Sequence, residues 1–306
     1  MSSRISLACL YALLLCACTQ TVSNPNKSEE NNDQENTQSS LPTDSTGDIT
    51  AATLKTVTVS DDGSTEAKYF FDGQEKINFL NQYKLHGDNN LKETQLKEMN
   101  DSLEKGQQLF DNAAKSDKWF VPATIQKGSL YFAMANSIKK QESNATSKLD
   151  SIAKALSTFL EQLPYYEQAR SIFQQGIDAV RSKKISDPNT GILEEYYIYT
   201  FYEDCNTYRE ISFLYRDHPL PDSAAVAQEY IQHMSTTEED AKEMTHEDLE
   251  AYREELSSKS KEMKGKAISV CTSGVQEAQK YDLKNVQVEA IKGLLRLLDP
   301  GSLALQ

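Results

Sequence analysis

Leu149, Ile152, Leu156, Phe159 and Leu163 recur at spacings of 3, 4, 3 and 4. An α-helix brings such positions onto one side, whereas a strand would divide them between its two faces. The stripe therefore demands a helix and a second helix to bury it. Pro164 follows directly and reads as a break. Tyr166, Ala169, Phe173, Ile177 and Val180 carry a similar stripe beyond it. The expectation is two helices folded back as an antiparallel hairpin at Pro164.

The same helical period runs through the chain from residue 72, with turn signals at long intervals. Residues 74–86 place Ile77, Leu80 and Tyr83 on one side; residues 91–115 place Leu96, Met99, Leu103, Phe110 and Ala114. Pro122 suits the first turn of a helix reaching about residue 141. Residues 225–234 form a short helix, and Thr236 with Glu239 has capping-box spacing. From 238 towards 263 the stripe thins to Leu249, Tyr252 and Leu256, so that helix is expected to be peripheral or projecting. Residues 264–281 continue it, and the strongly apolar 284–298 should dock into the core. The fold class is all-α, an irregular multi-helix bundle of six to eight helices over residues 72–306, long enough for one sizeable core. Residues 54–71 precede it as a small β-hairpin (TLKTVTV, a turn at SDDGS, TEAKYFF returning) or as an extended arm along the body.

YYEQARSIFQQGI, residues 165–177, resembles the second helix of a tetratricopeptide unit, and EKGQQLFDNAA, residues 104–114, echoes it. The echo lies near neither one nor two 34-residue periods. The Trp-Leu-Gly-Tyr signature of the first helix is also missing, so an irregular bundle is preferred to a solenoid.

Residues 1–17 have the three parts of a secretory signal: Arg4, an apolar run from Ile5 to Ala17, and small Ala17 before Cys18. The run is shorter than the roughly 20 residues that a membrane span needs. Leu15-Cys16-Ala17-Cys18 resembles the lipobox of bacterial lipoproteins. The resemblance implies cleavage before Cys18 and a diacylglycerol on its thiol. Cys16, two places before the lipidated residue, departs from the usual pattern. Two or three acyl chains are enough for stable attachment without a transmembrane helix. Thr19, where an Asp would favour inner-membrane retention in Gram-negative families, points to the outer membrane if the source has one. Residues 18–53, almost devoid of apolar side chains, read as a disordered tether. Its root-mean-square reach is roughly 30–35 Å.

The chain carries 46 acids against 32 bases and a formal charge of −14. That balance argues against nucleic acid, whose phosphates need clustered Lys and Arg. Of five cysteines, Cys9 and Cys16 leave with the signal and Cys18 takes the lipid. Cys205 and Cys271 remain in a compartment that permits disulfides. They either pair, closing a loop of about 65 residues worth around 4 kcal/mol, or stay as two buried thiols.

Residues 193–217 hold six of the fifteen tyrosines. Tyr197, Phe201, Cys205, Tyr208 and Tyr215 recur near helical spacing on one face. Such a face suits a core edge or a partner surface, and Tyr197, Phe201, Tyr208 and Tyr215 are the candidate binding residues. The four histidines, His86, His218, His233 and His246, show no H-E-x-x-H pairing. There is no G-x-S-x-G elbow, Walker loop or Gly-rich dinucleotide fingerprint in the sequence. No catalytic residue, metal site or cofactor is expected. The chain reads as a non-enzymatic binding or scaffold module of the cell envelope, held to a membrane through lipid on Cys18 and meeting another envelope protein. Two alternatives stay open: a small-ligand carrier or transport accessory with its ligand near the tyrosines, and a surface-exposed lipoprotein meeting a host.

Overall fold

The computed structural model describes residues 54, 55, 57, 59–83, 89–139, 148–218 and 246–301. The signal, lipidation site and tether, the short helix at 225–234, the Thr236 capping box, His86 and His233 lie outside these residues. Among the described residues the chain is all-α, with no strand. The helices are α1 (Thr65–Gln82), α2 (Asn89–Ala113), α3 (Asp117–Lys139), α4 (Lys148–Lys183), α5 (Thr190–Arg216), α6 (His246–Lys280) and α7 (Val286–Leu298).

The return strand expected at 65–71 is the start of α1 instead. Asp61 to Ser64 turns the chain, with Gly63 at φ +73°. Ser64 then caps the helix, its hydroxyl accepting the Ala67 N–H at 3.0 Å. The residues that signal a hairpin turn also suit an N-cap with an acid, Glu66, in the first turn. Upstream, Leu54 and Val57 are buried in the core and Lys55 reaches Glu195 of α5 at 2.6 Å. These residues therefore touch the body, while 65–71 are helical rather than part of an extended arm.

The helices pack as three antiparallel pairs, α1 with α2, α3 with α4 and α5 with α6, and α7 closes one end against α5 and α6. Pairing direction follows from contacts along each crossing. In the first pair the Tyr83 hydroxyl meets Glu98 at 2.5 Å while Gly73 faces Phe110. In the second, the Gln162 amide donates to the Ala135 carbonyl at 2.9 Å and Phe132 packs on Phe173. In the third, Ser212 contacts Ser260 and Tyr197 contacts Tyr281. Neighbouring pairs are joined in turn: the Ser137 hydroxyl of α3 donates to the Leu80 carbonyl of α1, and Arg181 of α4 pairs with Glu194 of α5 at 3.5 Å.

One packing device recurs in all three pairs. On the second helix it is a small-large-small triad at spacings of 4 and 3: Gly106-Phe110-Ala113, Ala169-Phe173-Gly176 and Ala267-Cys271-Gly274. The middle residue meets a fixed point on the first helix. Phe110 fills the space over Gly73, Phe173 that over Gly128, and Cys271 bonds to Cys205. Four residues earlier on the first helix, Thr124 lies over Gly176 and Phe201 over Gly274. The two sequence echoes thus occupy equivalent places, and the bundle is more regular than its irregular spacing suggests.

This geometry gives two glycines opposite signs. A Cβ on Gly128 would overlap the Phe173 ring, whereas one on Gly265 in α6 meets nothing within 4 Å. Gly128→Ala should destabilise, because overpacking costs about 1–3 kcal/mol and exceeds the helix-propensity gain of up to ~1 kcal/mol. Gly265→Ala should stabilise by up to that ~1 kcal/mol. Urea unfolding of the two variants side by side checks the sign of each.

Two further expectations are corrected. Pro164 does not break the chain: α4 runs through it as one 36-residue helix. Proline inside a helix costs roughly 3 kcal/mol, but Gln162, Leu163 and Tyr166 are buried around it, so packing on both sides holds the helix. Pro122 lies a turn later than expected, inside α3, which begins at Asp117. Residues 246–280 form one helix whose first half is mostly exposed outside Leu256 and Met263. Its second half lies along α5 through Ala267, Cys271 and Val275. The strongly apolar α7 docks as expected, burying Val288, Ile291, Leu294, Leu295 and Leu298.

Candidate functional site

Helix α5 was the sequence's strongest candidate for recognition, and it lies at the centre of the molecule. Tyr197 and Phe201 are each 5% exposed. Their rings meet edge to face at 5.2 Å, and Tyr197 continues to Tyr281 beyond α6. Tyr208 and Tyr215 are half-buried, packed against the smaller cluster formed by Leu156, Leu163, Ile211 and Met263. The four candidate residues share one side of α5, as their spacing requires; core packing takes up Tyr197 and Phe201, while Tyr208 and Tyr215 stay partly exposed. The flank is equally occupied: Tyr199 lies 5.3 Å from Phe132 and stacks on Tyr202 at 5.9 Å.

Cys205 and Cys271 form a disulfide with Cα atoms 5.5 Å apart. It joins α5 to α6 at the point where the other two pairs have a glycine facing a phenylalanine. The paired reading of these cysteines is the one the geometry contains.

Sequence reasoning passed over the charges beside this bond. Asp204, 1% exposed at its side chain, pairs with Arg170 of α4. The Arg170 guanidinium also lies 4.5 Å above the Phe201 ring. Burial holds the Arg170 pKa below its ordinary value. The available signal was an acid between Phe201 and Tyr208 on the buried face, where an unpaired carboxylate would be costly. A second ion pair, Arg181 with Glu194, is half open to solvent. Burial pushes the Glu194 carboxyl up, and Arg181 pulls it partly back.

Several tyrosine hydroxyls, Tyr199, Tyr166 and Tyr83 among them, are held in their neutral form. Burial, then the neighbouring Glu203, raises Tyr199 well above the ordinary 10.0, and its hydroxyl donates to Glu203. Burial first and Glu203 second likewise raise Tyr166. Burial and Glu98 push Tyr83 up to about 12. A neutral tyrosine of raised pKa is a poor base and a poor nucleophile. Raised folded-state values also mean that the stability these groups contribute is complete below pH about 10 and is lost as pH climbs through the folded values. Absorbance titration at 295 nm should show only part of the fifteen tyrosines ionising between pH 10 and 11. The remainder should ionise together with loss of helix by circular dichroism. Full ionisation near pH 10 with the helix intact would contradict the buried assignment.

His218 is buried edge-on to Tyr252 at 6.1 Å. Among the described residues no three metal-ligating side chains converge, and no helix is long and apolar enough to cross a membrane. No protein-family model, curated protein or solved structure matches the chain.

Proposed function

We propose that this chain is a lipid-anchored lipoprotein of the cell envelope whose stacked helical pairs act as a non-enzymatic binding scaffold for another envelope protein. The observation that carries the reading is the Cys205–Cys271 disulfide. Such a bond persists in secreted and periplasmic proteins and is rare in a reducing cytosol. It agrees with the address that Leu15-Cys16-Ala17-Cys18 implies, through an independent part of the chain. Stacked helical pairs also present long continuous faces, the geometry that repeat scaffolds use for partners. Tyr197, Tyr199 and Tyr202 of α5 are buried in the core, which favours a scaffold over a carrier holding a small ligand beside them.

Intact mass of the protein taken from its native membrane, beside a Cys18→Ala variant, tests the address. A diacyl or triacyl mass on a chain starting at Cys18, lost in the variant, is the expected result. An unmodified chain would remove the anchor. Crosslinking in intact envelopes tests the scaffold role, and recovery of the protein without a partner would count against it.

A further inference from the structure

Among the described residues, α7 at the end of the stack carries exposed apolar side chains on its outer face. Terminal units of stacked helical proteins ordinarily carry a polar outer face. Here Val286 is 58% and Leu297 48% exposed, two of the three large apolar side chains so placed among the described residues. Val286, Ala290, Gly293 and Leu297 follow one another at spacings of 4, 3 and 4, so they form a single stripe along α7. Ala290 leans partly on the core. A Cβ on Gly293 would meet nothing within 4 Å, so a second backbone can approach closely there. Along one flank of the stripe lie Glu289 towards the N-terminus and Arg296 towards the C-terminus, both exposed.

We propose that this face binds α7 of a second copy of the chain, the two helices antiparallel about a two-fold axis between Ala290 and Gly293. The stripe is self-complementary under that operation, and its charged flank is too. Val286 meets Leu297 of the other copy at each end, and the two small residues meet at the centre. Glu289 faces Arg296 of the other copy twice. A parallel two-fold pair would instead carry these charged flanks on opposite sides, where Glu289 and Arg296 gain no partner from each other. A 13-residue helix is only about 20 Å long, so the contact falls below the size of a standard stable interface. The dimer is therefore weak and dynamic, and two chains confined to one surface would populate it most.

The test uses the full-length chain with Cys9, Cys16 and Cys18 replaced by serine, which makes it independent of the lipid anchor. Val286→Cys and Leu297→Cys chains are prepared separately and treated with a short bismaleimide, alone and as a mixture. The antiparallel pair predicts crosslinked dimer in the mixture at about tenfold the level of either variant alone. Equal crosslinking in all three samples, or none in any, overturns the proposal. Charge reversal supplies the second arm. Arg296→Glu should abolish the mixed crosslink, and Glu289→Arg added to it should restore the crosslink. Failure of the double reversal to restore it, with the helix content of both variants unchanged, would show that these charges do not face each other.

Discussion

Replacing both Cys205 and Cys271 with alanine should lower the unfolding free energy by about 2–5 kcal/mol, one of the two largest losses expected from any change in the described core. The bond closes a loop across a sequence separation of 66 residues. Chain entropy alone then assigns it about 4 kcal/mol, most of it through the unfolded state. Both sulfurs are fully buried, so the alanines also leave a small cavity between α5 and α6. Urea unfolding with and without reductant separates the two contributions. The parent chain should fall to near the variant when reduced, and the variant should not respond to reductant at all. The repeated packing device adds a sharper arm. Cys205→Gly with Cys271→Phe rebuilds at this pair the arrangement seen at Gly73 with Phe110 and at Gly128 with Phe173. It should recover part of what the double alanine variant loses. If glycine and phenylalanine are no better than two alanines, the three crossings are not equivalent.

That equivalence shows where the sequence could be read and where it could not. Helical period was legible in the described residues beyond the start of α1, because apolar side chains on a buried face must recur every three or four residues whatever the topology. The extent of α4 was not, although the signal was present. Leu163 and Tyr166 keep the stripe in phase across Pro164, so the helix lost one hydrogen bond but no packing. A local rule about proline was outweighed by burial on both sides of it. The second helices of the first two pairs were recognisable from their glycine, alanine and phenylalanine positions. The third was hidden because cysteine stands where the others have phenylalanine and glycine, and a covalent bond replaces their contact. The tyrosines were found but not their orientation. A helix surrounded by neighbours buries aromatics on more than one face, and only the structure shows that α3, α4, α6 and α7 all lie against α5.

The charges passed over in the sequence lead to the other large effect. Arg170→Met should destabilise by about 3–5 kcal/mol, the cost of leaving one partner of a buried pair without the other. Asp204 is the member at risk, since its side chain is 1% exposed while that of Arg170 is 22% exposed. Methionine keeps the aliphatic part of the side chain but not the guanidinium over the Phe201 ring, so the loss combines the stranded carboxylate with that ring contact. A carboxyl group is cheaper to bury protonated than ionised. In the variant, stability should therefore be greatest in mild acid and decline as pH rises above about 4, where the unfolded chain releases its proton first. The parent chain should lack this component. Arg170→Met combined with Asp204→Leu should recover most of the loss, because a packed apolar pair often equals a buried ion pair in stability. A double variant no more stable than the single one would mean that Asp204 tolerates isolation and that the pair does not hold α4 to α5. The recovered variant would then serve a second purpose. If it still dimerises and still finds its partner, the pair is architecture; if it folds but loses the partner, this crossing sets the shape of a face that recognition uses.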